Sequence, residues 1–174
     1  MVHRHNDIYA VLVAEARQGC ISISIEQKID KTQTSTYRSD FLLTRGIPGY
    51  TQRATQADLV VTCPFNKTSV RAAAKYDLNT ALDAEDRKNR EQKDDLNALD
   101  FDFLPLAFES TGGHTEAVEV LVNYICQQKA IMTNVPFAEH STRLWQLLSV
   151  TLQRANAVAL HRRLKESLPV PLED

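Results

Sequence analysis

Four acids stand where acids are unexpected: Glu26, Asp40 and Asp58 on or at the ends of strand-like stretches, and Glu15 on the apolar stripe of a helical one. Carboxylates are seldom buried unless they are paired or bound to a cation. A hard divalent ion such as Mg2+ needs only one or two of them, because water and phosphate oxygens complete its shell. Asp40 and Asp58, carried by neighbouring strands, would suffice. Glu15 and Glu26 are secondary candidates that could equally pair with a base, and Glu109, before Ser110-Thr111-Gly112-Gly113, could cap the next helix or join the site. Arg154, Arg162 and Arg163 give the last helical segment a basic character suited to phosphates, although bases there also complement a helix dipole. His3, His5, His114, His140 and His161 show no metal-ligand spacing and read as surface or capping residues. Neither G-x-G-x-x-G nor G-x-x-x-x-G-K-[ST] is present, so Gly112-Gly113 reads as a tight turn.

These residues must be positioned by an ordered set of elements. Ile8, Val11, Leu12, Glu15 and Ala16 recur at helical spacing from Asn6, a cap, to about Gln18. Ile21, Ile23 and Ile25 alternate with polar residues, as in a half-buried strand. Lys28 to Thr36 reads as turn or loop, and Tyr37 to Thr44 as a second strand. The run Asp58-Leu59-Val60-Val61-Thr62-Cys63 has the continuous apolar character of a central strand and ends at Pro64. A long helix follows from Ser69 through the stripe Val70, Ala74, Leu78, Ala81 and Leu82, continuing as a charged, solvated stretch to about Leu96. Phe101 to Phe108 is a fourth strand whose Pro105 favours an edge or a bulge. Helices over about 115–130 and 139–165 complete the chain. Short links among the first three strands favour antiparallel pairing, and the helical crossover to the fourth favours parallel pairing.

With 174 residues, 43% hydrophobic and 24% charged, the chain fits one α/β domain, with a core over about 6–130. The absence of a long apolar run or a leader-like start predicts an intracellular protein without a membrane partner, nuclear if its source is eukaryotic and cytoplasmic otherwise. Cys20, Cys63 and Cys126 are far apart and read as small buried hydrophobes. The net charge of −2 hides a local imbalance, since eight acids against four bases lie between Asp83 and Asp102 and the remainder is mildly basic. Self-association into a homo-oligomer is left open.

The element order, Arg38-Ser39-Asp40 and Ala57-Asp58-Leu59-Val60-Val61-Thr62-Cys63-Pro64 resemble the core of PD-(D/E)XK nucleases. More narrowly, they are similar to the restriction-endonuclease-like domain of non-LTR retrotransposon polyproteins. His3-Arg4-His5-Asn6, Thr62-Cys63-Pro64-Phe65-Asn66, the stretch from Phe103 to Gly113, and Leu152-Gln153-Arg154-Ala155-Asn156-Ala157 extend the likeness over most of the chain. The resemblance implies a restriction-endonuclease-like mixed sheet and cleavage of DNA phosphodiester bonds. It also implies Asp40 and Asp58 as ligands of Mg2+, or alternatively Mn2+. Two positions depart from the pattern: Ser39 replaces the proline, and Val60 stands where the usual lysine belongs. Lys75, beside the predicted helical stripe, is the expected substitute. A rival expectation is a catalytically inactive domain of the same fold that binds nucleic acid or protein; a third is an unrelated α/β interaction domain.

Overall fold

The computed structural model describes residues 2–25, 28–32 and 35–167; Glu26 lies outside them. In chain order the elements are α1 (Val2–Gln18), β1 (Ile23–Ile25), β2 (Lys28–Thr32), β3 (Ser35–Arg38), β4 (Phe41–Leu43), β5 (Thr55–Thr62), α2 (Val70–Ala73), α3 (Asn79–Ala98), β6 (Asp102–Glu109), α4 (Glu116–Thr133) and α5 (Phe137–Ser167). Strands β1, β4, β5 and β6 form one mixed sheet in that spatial order. The first two pairings are antiparallel and β5 runs parallel to β6, as the connection lengths predict. The fold is therefore mixed α/β.

Side-chain alternation along β5 assigns its two faces. Ala57 and Leu59 enter the main apolar cluster with Ile8 and Leu12 of α1, Val118 and Leu121 of α4, and Leu144 and Leu148 of α5. Val60 instead packs with Ala81 and Ala84 of α3 and Ala107 of β6. Small residues on both sides let α3 lie close to the sheet, which sets the height of every later α3 side chain above β5. Pro105 sits opposite Asp58 on β6, an edge strand, as a residue without an N–H requires.

Five expectations need correction. The stretch from Lys28 to Thr36 is no simple loop, because β2 and β3 pair as an antiparallel ribbon with an irregular register between Asp30 and Thr32. Backbone pairing needs no apolar pattern, so its polar sequence concealed it. The predicted second strand is broken at Ser39-Asp40, between β3 and β4. Helix α1 begins at Val2, before the expected cap at Asn6. The single helix from Ser69 is split: α2 buries nothing, Leu78 adopts a left-handed conformation (φ 58°), and α3 starts afresh. The cysteines also diverge, since Cys126 is buried, Cys63 half-buried and Cys20 exposed.

Candidate active site

The register that pairs Phe41 with Ala57 brings Asp40, one residue earlier, opposite Asp58. Adjacent cross-strand positions are about 5 Å apart at Cβ, close enough for two carboxyls to meet. The two carboxyls are near enough for each to shift the titration of the other. Here β4 gives way to the Ser39-Asp40 break, and the Asp40 side chain takes over part of the lost ladder. Its Oδ2 accepts the Leu59 N–H at 2.6 Å, while its own N–H donates to Ala57 O at 3.1 Å. Ser39 is buried and its hydroxyl donates to Gln56 Oε1, which anchors the break from the other side.

Two cations converge on this pair. Lys88 Nζ donates to Asp58 Oδ2 at 2.5 Å, with only 16% of the lysine and 10% of the aspartate side chain exposed. His5 Nε2 lies 2.9 Å from Asp40 Oδ2, and its Nδ1 lies 3.1 Å from Asn6 Oδ1. Both ring nitrogens face acceptors, an environment that the doubly protonated imidazolium satisfies. The hydrogen bond to Asp40 accordingly raises His5 above its ordinary 6.5, against the effect of burial. Burial alone would push Asp40 up, but the bonds from His5 and the Leu59 N–H prevail and hold it below its ordinary value. Asp58 goes the other way: burial pushes it up, Asp40 adds to this, and Lys88 with Gln92 offsets only part. Two neighbouring carboxyls with opposed shifts suit a site where one stays ionised and the other takes up or shares a cation.

A divalent ion at the acid pair would meet hard oxygen donors. Gln92 is near enough to Asp58 to lower it, and its Oε1 is buried without a hydrogen-bond partner. Asp40 and Asp58 could supply the one or two carboxylates that Mg2+ needs. Among the described residues no group of three His, Cys, Asp or Glu side chains is arranged to hold a metal, so the fit rests on two carboxylates and one amide oxygen.

The other predicted residues stand elsewhere. Lys75 is exposed in the link between α2 and α3 and has no ion pair among the described residues. The α3 end nearest to it lies at Thr62, where Thr80 Oγ1 is 3.0 Å from the Thr62 hydroxyl, roughly 13 Å of strand beyond Asp58. Lys75 is therefore not brought to the acid pair; the lysine that meets Asp58 is Lys88 of α3. Glu15 is buried against Lys129 of α4, with Gln18 as a second partner of that lysine, roughly 15 Å along α1 from His5. It ties two helices together and is no part of the acid pair. Glu109 accepts the Thr80 N–H at 3.1 Å and the Thr80 hydroxyl at 2.7 Å, so it caps α3, the preceding helix, where the following one was expected. Arg154, Arg162 and Arg163 are exposed on α5, which rests on α1 and α4. Asn156 Nδ2 donates to Ser110 O at 2.7 Å, which puts this part of α5 roughly 16 Å of extended chain beyond Pro105, the neighbour of Asp58.

Sequence reasoning missed His5 and Lys88, yet each had a signal. His5, Ile8, Leu12 and Ala16 follow three-and-four spacing, as do Ala81, Ala84, Lys88, Gln92 and Leu96. In both helices the apolar members are buried, so the polar member on the same stripe is drawn inward. The surrounding charges of α3 hid this, because the stretch reads as solvated throughout.

Compared with known proteins, the chain matches no family model, and no curated protein or solved structure is significantly similar to it.

Proposed function

We propose that the chain is a metal-dependent endonuclease domain of the PD-(D/E)XK type that nicks DNA, derived from a retroelement protein. The observation that carries this reading is the meeting of Asp40 and Asp58 from adjacent strands, with Lys88 on Asp58. The order of one helix, an antiparallel strand set, a crossover helix and a parallel edge strand supports the restriction-endonuclease-like form of the fold. Lysine 88 supplies from α3 the cation that Val60 withholds from β5. Val60 has a role of its own, since its contact with Ala81 and Ala84 brings Lys88 over Asp58.

In this reading Asp40 and Asp58 would hold Mg2+ or Mn2+. When bound, such an ion polarises a phosphoryl oxygen and lowers the pKa of its water. Lys88 donates hydrogen bonds toward the same place and offsets negative charge that develops on the phosphoryl group. His5 keeps Asp40 ionised and fixes the orientation of its carboxylate.

Supercoiled plasmid incubated with the purified protein and Mg2+ or Mn2+ tests the reading. Wild type is expected to convert it to the nicked form, and Asp58→Asn to reduce conversion at least 100-fold. No conversion by folded wild type sinks the proposal. A second reading is favoured by the pairing itself: Lys88 and His5 already neutralise both acids, as they would in an inactive domain that retains the fold to bind nucleic acid or protein. The same assay separates the two.

A further inference from the structure

A crevice of about 430 Å³ opens between the C-terminal half of β5 and the first turns of α3. Val60 and Ala84 line its inner end. Asp58 is two residues before Val60 on the same strand face, and Lys88 one turn after Ala84 on the same helix face. The crevice therefore begins about 7 Å from the acid pair. Its size is that of a small-ligand site, enough for a nucleotide unit and too narrow for a duplex.

The chemistry of its walls is directional. Arg87 and Arg90, both exposed, stand along the α3 side, and Asn66 and Ser69 offer polar groups from the β5–α2 loop. Asp83 also reaches the lining, held by Asn79 Nδ2 at 2.9 Å. Two guanidiniums against one acid already hydrogen-bonded to an amide favour an anionic occupant. Between Cys63 and Asn66, both in the lining, the chain turns outward and presents Phe65, whose side chain is 72% exposed. Tyr76, 66% exposed, shares with Phe65 a second pocket of about 260 Å³, also lined by Asp77 and Glu109. Large aromatic faces left in water, one of them on the loop that carries Asn66 into a groove with two arginines and one acid, suit unpaired bases, which stack on aromatic rings while their phosphates track the charges.

We infer that the β5–α3 crevice binds one unpaired DNA strand, with phosphates at Arg87 and Arg90 and bases stacked on Phe65 and Tyr76, leading that strand to the Asp40–Asp58 site. This rests on the endonuclease reading for the direction of the strand, and deepens it by naming single-stranded or frayed DNA as the substrate class. Phe65 and Tyr76 line a pocket that shares no residue with the crevice, so the strand passes over Pro64-Phe65 between the two.

Fluorescence anisotropy in EDTA, with a labelled single-stranded oligonucleotide and the blunt duplex of the same sequence, tests it without any cleavage. The single strand is expected to bind at least tenfold tighter than the duplex. Phe65→Ala should weaken it by about five- to a hundredfold, the range for loss of one stacked base. Arg87→Ala with Arg90→Ala should flatten the slope of log affinity against log salt by about 1.4, the equivalent of two single-strand phosphate contacts. All three side chains are exposed, so folding, followed by circular dichroism, should be unaltered. Equal or tighter binding of the duplex overturns the inference, as does full single-strand affinity in Phe65→Ala. Either result leaves plasmid nicking by wild type untouched, whereas single-strand binding without nicking would remove the endonuclease reading and leave the crevice assigned.

Discussion

Lys75 and Lys88 share a charge and differ in what surrounds it, which makes them a paired test at the level of single residues. Lys88 is largely enclosed and bonded to Asp58, and Lys75 stands in water. Under the endonuclease reading, Lys88→Met should lower plasmid nicking by about 100-fold, the usual scale for removing one preorganised stabiliser of developing charge. Lys75→Ala should stay within about twofold, as expected of a charge that touches no reacting group. A Lys75 defect equal to that of Lys88 would return the role to the residue first expected. His5 makes a prediction about pH. Its folded value is raised above 6.5, so the stability it contributes is complete below that pH and is lost as pH rises through the folded value. Asp40, lowered from 3.8, contributes fully above that pH and loses its contribution as pH falls through the folded value. Urea midpoints of wild type and His5→Ala should therefore differ most between those limits, around pH 5 to 6, and converge toward alkaline pH. A gap that widens from pH 6 to 9 would contradict the pair.

Among the elements, α3 decides whether the site exists, and its start is set from a distance. Glu109 on β6 binds the N–H and hydroxyl of Thr80 in the first turn of α3, while Leu78 holds the preceding backbone left-handed beside Gly113, where even a Cβ would come within 2.4 Å of Leu78 Cδ2. A carboxylate at a helix N-terminus both satisfies an orphan N–H and complements the dipole, so Glu109→Ala should cost about 1–2 kcal/mol. Urea denaturation measures this, and a loss below about 0.3 kcal/mol would show that the cap is dispensable. The same contact explains what could be read beforehand. The strands β4, β5 and β6 and their directions were legible, because alternation, Pro64 and connection length are local features. Asp40 and Asp58 were legible as acids on or at the ends of strands. The α2–α3 break was not, since its cause lies in a residue 29 positions away that periodicity cannot weigh. Lys88 did not depend on that break: it stands seven residues after Ala81 of the predicted stripe, on the same helix face, and was hidden only by the charges around it.

For the molecule as a whole, α5 divides into a part that belongs to the core and a part that does not. Leu144, Leu148, Leu152 and Ala155 are buried, and Asn156 bonds Ser110 O at 2.7 Å. From His161 to Lys165 every residue is exposed, Arg162 and Arg163 among them, and no helix among the described residues is long and apolar enough to cross a membrane. Leu160 to Lys165 are all exposed, and ending the chain after Ala159 should change stability by less than about 1 kcal/mol. Ending it before Leu144 removes three leucines worth about 2–5 kcal/mol each, which approaches the whole stability of a domain. The shorter cut should leave a protein with native circular dichroism and a cooperative melt, the deeper one a chain with neither. This pair of chains also decides between two phosphate-binding surfaces. Arg162 and Arg163 leave with the first cut, and Arg87 and Arg90 remain. If the crevice carries the DNA, the chain ending at Ala159 should bind the single-stranded oligonucleotide within about twofold of the full chain, its salt slope changed by less than one phosphate. A tenfold loss, with the fold intact, would move the nucleic-acid surface from α3 to the end of α5.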